Sequence, residues 1–198
     1  VDRLSLDSYL AMGFVPGDHC ILEGFNKLPP AHAFLFNLKT GKERIWKYWE
    51  LPDINYCKES IDENQLLDEL ETLLEGSVRR QLVADVPVGI MLSGGIDSSI
   101  LTAMAVRSMD KVKTFCVSFP GYKDLDEAKH AQLIANYFGT EHIELEANDS
   151  SAHLLMNLAQ NFDEPIVDSS MIPTFLLCQM VKRHCTVALG GDGGDELF

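Results

Sequence analysis

Apolar residues recur along this chain at two spacings, and the switching between them sets out the elements. Leu66, Leu67, Leu70, Leu73, Leu74, Val78 and Leu82 return every three or four residues, the period of one face of a helix. Ser60-Ile61-Asp62-Glu63 just before them has the form of a capping box. Arg79 and Arg80 lie near the far end, where the helix dipole favours cations. The apolar stripe is expected to pack into a core rather than form a partner groove.

Shorter runs without helical period read as strands: the apolar run Val88 to Leu92, the buried-type Lys113 to Phe119, then Glu141 to Leu145 and Cys185 to Leu189. Between them, Asp97 onward, Asp124 to Phe138 (stopped by Gly139), 150–162 and 171–184 read as helices. Asp163-Glu164-Pro165 breaks the third of these, and Pro173 suits the first turn of the fourth. Near the N-terminus, residues 6–14 predict a short helix ending at Gly13. Runs at 32–37 and 43–49 predict a hairpin turning at Gly41. In its second strand Trp46 and Tyr48 share one face and Ile45 and Trp49 the other, so both faces are expected to be partly covered. Leu51-Pro52-Asp53 ends the hairpin and places a domain boundary near residues 50–58.

Strands alternating with helices at this spacing predict an α/β fold, a parallel sheet with flanking helices. Ligands in such sheets sit at the carboxyl ends of the strands. Two glycine-rich turns fall there. The first is Ser93-Gly94-Gly95-Ile96-Asp97-Ser98-Ser99, a strand–turn–helix joint of the kind that cradles phosphate on backbone N–H groups. The Walker pattern and the Rossmann G-x-G-x-x-G are both absent. The second turn, Gly190-Gly191-Asp192-Gly193-Gly194-Asp195-Glu196, carries carboxylates without EF-hand spacing. With the turns opposed, Asp97 and Asp195 could clamp one Mg²⁺ between them.

Composition narrows the partners. The 198 residues are 46% apolar and carry a formal charge of −14, which speaks against nucleic acid or an anionic membrane as main partner. No apolar run reaches the ~18 residues of a membrane span. The start, Val1-Asp2-Arg3-Leu4, does not read as a signal peptide. Cys20, Cys57, Cys116, Cys178 and Cys185 are scattered and odd in number, so reduced thiols, mostly core filler, and a cytoplasmic location are expected. Asn148-Asp149-Ser150 is read as a helix-capping turn.

The first turn resembles the pyrophosphate-binding loop of the N-type ATP pyrophosphatases, which cleave ATP between its α and β phosphates. Adding Phe138-Gly139-Thr140-Glu141-His142, Asp163-Glu164-Pro165 and the stretch Gly191 to Phe198, the chain resembles the synthetase domain of glutamine-hydrolysing asparagine synthetase. That likeness runs over residues 57–198; residues 1–56 resemble the tail of the family's glutaminase domain, as a small hairpin remnant, and a linker. It implies an adenine-nucleotide α-hydrolase-like fold with ATP and Mg²⁺. Leu92 and Val117 would flank adenine, while Ser93, Gly94, Gly95, Asp97, Ser98 and Ser99 would bind pyrophosphate. Gly190 and Gly191 would lie by the nucleotide, and Asp97 and Asp195 would bind Mg²⁺. Asp192 would handle protons or orient the intermediate, where some relatives carry glutamate. The implied partners are aspartate, ATP and ammonia from a glutaminase domain, with a homodimer as the expected assembly.

By the family's pattern the chain reads as a fragment. It begins at Val1 rather than the family's nucleophilic N-terminal cysteine, and stops at Phe198 before a lysine that stabilises adenylylation. Alone it is not expected to hydrolyse glutamine. The same loops would serve an amidotransferase acting on a sugar uronic acid or a β-lactam precursor, a tRNA-modifying pyrophosphatase, or a nucleotide-binding remnant. The charge disfavours the tRNA enzyme.

Overall fold

The computed structural model describes residues 1–52, 62–118, 127–146 and 153–196. In chain order its elements are α1 (Arg3–Met12), β1 (His32–Phe36), β2 (Glu43–Lys47), α2 (Glu63–Gln81), β3 (Val88–Met91), α3 (Ile96–Ser108), β4 (Lys113–Ser118), α4 (Ala128–Phe138), β5 (Glu141–Glu146), α5 (His153–Ala159), α6 (Met171–Val181) and β6 (Val187–Leu189). The chain forms two compact units, residues 1–59 with 155–170, and residues 60–154 with 171–198. The boundary expected between residues 56 and 57, Cys57, Phe119, the start of the helix expected from Asp124, and Asn148-Asp149-Ser150 lie outside the described residues.

In the first unit Asp2 caps α1. Its carboxylate accepts the Ser5 N–H at 2.8 Å, which holds its pKa below the usual carboxylate range. Gly13, left-handed at φ 81°, closes the helix. Strands β1 and β2 pair antiparallel, His32 opposite Lys47 and Phe36 opposite Glu43. Asn37 ties the turn by accepting the N–H groups of Lys39 and Thr40 at 2.9 and 3.0 Å. The expectation of partly covered faces fails here: Ile45, Trp46, Tyr48 and Trp49 are all exposed, because the hairpin pairs only with itself among the described residues. Glu164 braces this unit, accepting the Ile21 N–H at 2.7 Å and pairing with Lys27 Nζ at 2.5 Å. That pairing pulls its pKa down.

The second unit is built on a four-stranded sheet in the order β5-β4-β3-β6, parallel throughout, as the alternation of elements predicts. Side chains alternate between its faces. Ile90 packs with Val78, Met104, Ala105 and Val112 under α2 and α3. Leu92 and Cys116 pack with Ala128, Ala131 and Ala135 of α4. Phe115 packs with Val181 and Cys185 by α6, so helices flank both faces. Gly89 makes room for that ring, since a Cβ there would lie 2.4 Å from Phe115 Cε2.

Several element ends differ from expectation, each for a local reason. Asp62 is the N-cap of α2, its carboxylate accepting the Asn64 N–H at 3.0 Å, while Ser60 and Ile61 of the expected capping box lie outside the described residues. Only the later half of the α2 stripe is core. Leu74, Val78 and Leu82 join the Ile90 cluster, whereas Leu66, Leu67 and Leu73 are exposed. Leu70 and Leu74 also line an apolar cavity of about 580 Å³ with Ile96 and Ile100. Helix α5 stops at Ala159 rather than 162, because Asn161 folds back, its side-chain amide donating to the Asn157 carbonyl at 2.7 Å. Helix α6 stops at Val181, where the His184 and Cys185 N–H groups turn back onto the Val181 carbonyl and delay β6 to Val187. Among the described cysteines, Cys116 and Cys185 are buried, Cys20 is half-buried and Cys178 is exposed, so the core-filler reading holds for two of the four.

Candidate functional site

Strands β3 and β6 are hydrogen-bonded neighbours, with Val88 opposite Val187 and Ile90 opposite Leu189. Parallel pairing brings their carboxyl ends side by side, and with them the two glycine turns. Gly94 takes φ +84° and backs onto α4, where a Cβ would lie 2.6 Å from the Ala131 backbone nitrogen. The turn is tied internally: Ser93 and Ser98 hydroxyls lie 3.0 Å apart, and the Gly95 N–H donates to Ser93 Oγ at 3.2 Å. Gly95 is the N-cap of α3 and supplies no side-chain cap. Asp97, Ser98 and Ser99 therefore sit inside the first turn of α3 rather than capping it. Both serine hydroxyls donate back to the Gly95 carbonyl, Ser99 at 2.6 Å.

The second turn rides directly over that helix start. A Cβ on Gly191 would lie 2.9 Å from Asp97 Cβ and 3.0 Å from the Ser98 nitrogen. On Gly194 it would lie 2.6 Å from Asp97 Cγ. Only glycine allows this approach. The turn thus presses its backbone against the carboxylate that heads α3.

Between the turns opens a cavity of about 530 Å³. Leu92, Ser93, Gly95, Asp97, Ser98, Val117, Gly190, Gly191, Asp192 and Asp195 line it. Of the residues singled out in the sequence, Gly94 and Ser99 are not in its lining. Gly94 is packed on α4, and Ser99 borders a separate groove with Leu133 and Tyr137. The structure adds lining residues that sequence reasoning passed over: Met91, Glu127 at the head of α4, Thr174 in the first turn of α6, and Glu196. Glu196 stood in the second glycine turn and could have been noted. Glu127 and Thr174 carry no local signal, because only the sheet's topology brings their helices to this end.

Five carboxylates line the cavity (Asp97, Glu127, Asp192, Asp195, Glu196), and no lysine, arginine or histidine is among the described lining residues. The donor set fits Mg²⁺, which takes one or two carboxylates and completes its octahedron with waters and phosphate oxygens. No cluster of three or more metal-ligating side chains occurs among the described residues, so a closed all-protein metal cage is not what this site offers.

On the floor of the sheet, His142 bridges to β4. Its Nδ1 lies 2.8 Å from Thr114 Oγ1 and its Nε2 3.4 Å from Cys116 Sγ. Burial pushes its pKa down, with Glu144 pulling weakly upward. A group charged less readily in the fold than in the unfolded chain stabilises the fold above its unfolded pKa. That contribution is lost as pH falls through the lower folded value. Urea midpoints are therefore expected to drop as pH falls below about 6.5, and to drop less in His142→Gln. Equal slopes in the two proteins would remove His142 as the cause.

A parallel α/β unit that opposes two glycine turns over an acidic cavity places that cavity at the carboxyl ends of its strands, where ligands bind in such sheets. Within that class the chain belongs to the asparagine synthase family, whose model matches residues 69–198. It is 33% identical over its full length to the putative asparagine synthetase [glutamine-hydrolyzing] 2 of Methanocaldococcus jannaschii, and covers 38% of that protein. To asparagine synthetase [glutamine-hydrolyzing] 1 of Bacillus subtilis it is 31% identical over its full length, covering 31% of it. It thus spans about a third of the length of these relatives. Among solved structures it is similar to an NH3-dependent NAD synthetase from Campylobacter jejuni, at 15% identity and a TM-score of 0.45 over 66% of this chain and 58% of that one. No described helix is long and apolar enough to cross a membrane.

Proposed function

We propose that this chain carries the ATP-handling part of an amide-forming ligase that converts aspartate to asparagine. One observation carries the reading: the Asp97-bearing start of α3 and the Gly190–Asp195 turn meet beside the acidic cavity of about 530 Å³ at the carboxyl ends of β3 and β6.

Leu92 and Val117 supply the apolar walls for adenine. Ser93, Gly95 and Ser98 offer hydroxyl and backbone donors to the phosphate chain, while Gly94 shapes the loop and Ser99 braces the helix start. Gly190 and Gly191, which line the cavity beside β6, would lie by the nucleotide. Asp97 and Asp195 would hold Mg²⁺, which offsets the charge building on departing pyrophosphate. The acidic lining repels a bare polyphosphate, so ATP enters as its magnesium complex.

In the reaction, a β-carboxylate oxygen of aspartate attacks the α-phosphorus of ATP, and the bond to the pyrophosphate oxygen breaks. The product pair is pyrophosphate and β-aspartyl-AMP. Ammonia then attacks the acyl carbon, AMP leaves with the bonding electrons, and the amide forms after loss of a proton. Asp192, exposed and part of the cavity lining, would take that proton or steer the intermediate. Positioning and fixed electrostatics supply most of the acceleration. The relatives' names describe glutamine-hydrolysing enzymes, and glutamine is the proposed source of ammonia.

The test is ATP/pyrophosphate exchange, measured on the full-length protein with a panel of acids. Exchange that depends on aspartate supports the reading. Exchange driven instead by a sugar uronic acid or a β-lactam precursor moves the protein to a neighbouring amidotransferase activity. Nucleotide binding with no exchange under any acid leaves a binding module without the ligase chemistry.

A further inference from the structure

The Phe138-Gly139-Thr140-Glu141-His142 segment has no part in the cavity lining, yet its side chains reach the strand that forms the cavity's wall. In the parallel register His142 stands opposite Thr114, and Glu144 opposite Cys116. Thr140 Oγ1 lies 2.8 Å from Thr114 Oγ1, and Thr114 Oγ1 lies 2.8 Å from His142 Nδ1. The other ring nitrogen reaches Cys116 Sγ at 3.4 Å. One imidazole therefore grips β4 at two positions on the same face of the sheet. Thr114 is fully buried and Cys116 nearly so, at 0% and 5% exposure. Cys116 and its neighbour Val117 line the cavity.

The segment's backbone is fixed as firmly as its side chains. Gly139 ends α4 in the left-handed conformation, the Thr140 N–H returns to the Ala135 carbonyl at 3.0 Å, and the Glu141 N–H bonds to the Val112 carbonyl at 2.9 Å. Apolar residues at 114, 140 and 142 would fill the same space with no polar group to satisfy. What the hydrogen-bonded set adds is a defined position for the end of β4, since each bond is directional where apolar packing is not.

We propose that Thr140 and His142 are positioning residues for nucleotide binding, acting through Thr114 and Cys116 to fix where the carboxyl end of β4 stands in the cavity wall. This rests on reading the cavity as the ATP site. An uncharged imidazole, which burial favours here, donates through one nitrogen and accepts through the other, so it joins the two β4 side chains in one chain of bonds.

Titration of the protein with ATP in excess Mg²⁺ tests this. His142→Ala is expected to weaken binding about tenfold, the scale of one lost polar contact. His142→Gln, whose amide reaches the Nε2 position, is expected to recover most of that loss. Thr140→Val is expected to weaken binding and Thr140→Ser to restore it, which keeps the test open should His142→Ala not fold. Met104→Ala, a core truncation in the Ile90 cluster, serves as the comparison for lost stability and is expected to lower the urea midpoint with little change in affinity. Wild-type affinity in folded His142→Ala and Thr140→Val overturns the positioning role while leaving the ATP site standing. So does a loss of affinity in Met104→Ala that matches its loss of stability in the same ratio as in His142→Ala. A wild-type protein that binds no ATP under these conditions overturns both readings together.

Discussion

In the full-length protein, the proposed ligase function predicts that Asp97→Asn lowers aspartate-dependent ATP/pyrophosphate exchange by about a thousandfold, corresponding to some 4 kcal/mol of transition-state stabilisation. The substitution keeps size and removes a charge. Asp97 lies where the start of α3 meets the second turn, with the site of a Gly194 Cβ only 2.6 Å from its Cγ. An amide there still fills the space, so the fold is expected to survive with an unchanged urea midpoint. What is lost is one of the two carboxylates proposed to hold Mg²⁺, out of five in a lining with no basic side chain among the described residues. Exchange within a few-fold of wild type in a folded Asp97→Asn protein would remove this carboxylate from the chemistry and with it the main support for the ligase reading.

The second large effect is on the fold. Gly94→Ala is expected to cost about 3 kcal/mol, because two penalties coincide. The backbone stands at φ +84°, where an L side chain is strained, and the new methyl would lie 2.6 Å from both the Ala131 nitrogen and the His130 carbonyl carbon. Backbone atoms cannot swing aside as a side-chain end can, so α4 must shift or the loop must open. Gly139→Ala is the comparison. It also has positive φ, at +68°, but nothing lies within 4 Å of its Cβ, and about 1 kcal/mol is expected there. Urea melts of the two variants separate the contributions. Equal midpoints would show that conformation alone, and not the packing of the first turn on α4, sets the requirement for glycine.

Much of the core architecture was legible because its signals are local. The run Val88 to Leu92 followed by Ser93-Gly94-Gly95 announces strand, turn and helix within about a dozen residues; β4 and β6 carry similar apolar runs, while β5 alternates apolar residues with charged ones. That both glycine turns stand at carboxyl ends follows from parallel topology alone. What the sequence could not convey is contact. Nothing in the spacing of Gly191 and Gly194 says that their missing side chains leave space for Asp97, and the Thr140–Thr114–His142–Cys116 chain exists only once β4 and β5 are in register. Faces were harder still. The leucines of α2 have one helical period throughout, yet Leu74 and Val78 are packed while Leu66 and Leu73 are bare, since periodicity marks a face but not what covers it. The hairpin shows the same limit at Trp46 and Trp49. Element ends depended on single side chains, Asp62 at the start of α2 and Asn161 beyond α5, that compete with several equally plausible caps nearby.

The pairing of β3 with β6 has a consequence for how the protein matures. Val88 and Val187 are partners across about a hundred residues of chain, so closing that ladder comes at a high entropic cost and falls late in folding. A nascent polypeptide that has emerged only as far as α6 owns the first loop but not its counterpart. The cavity between the two turns takes shape only when β6 docks beside β3.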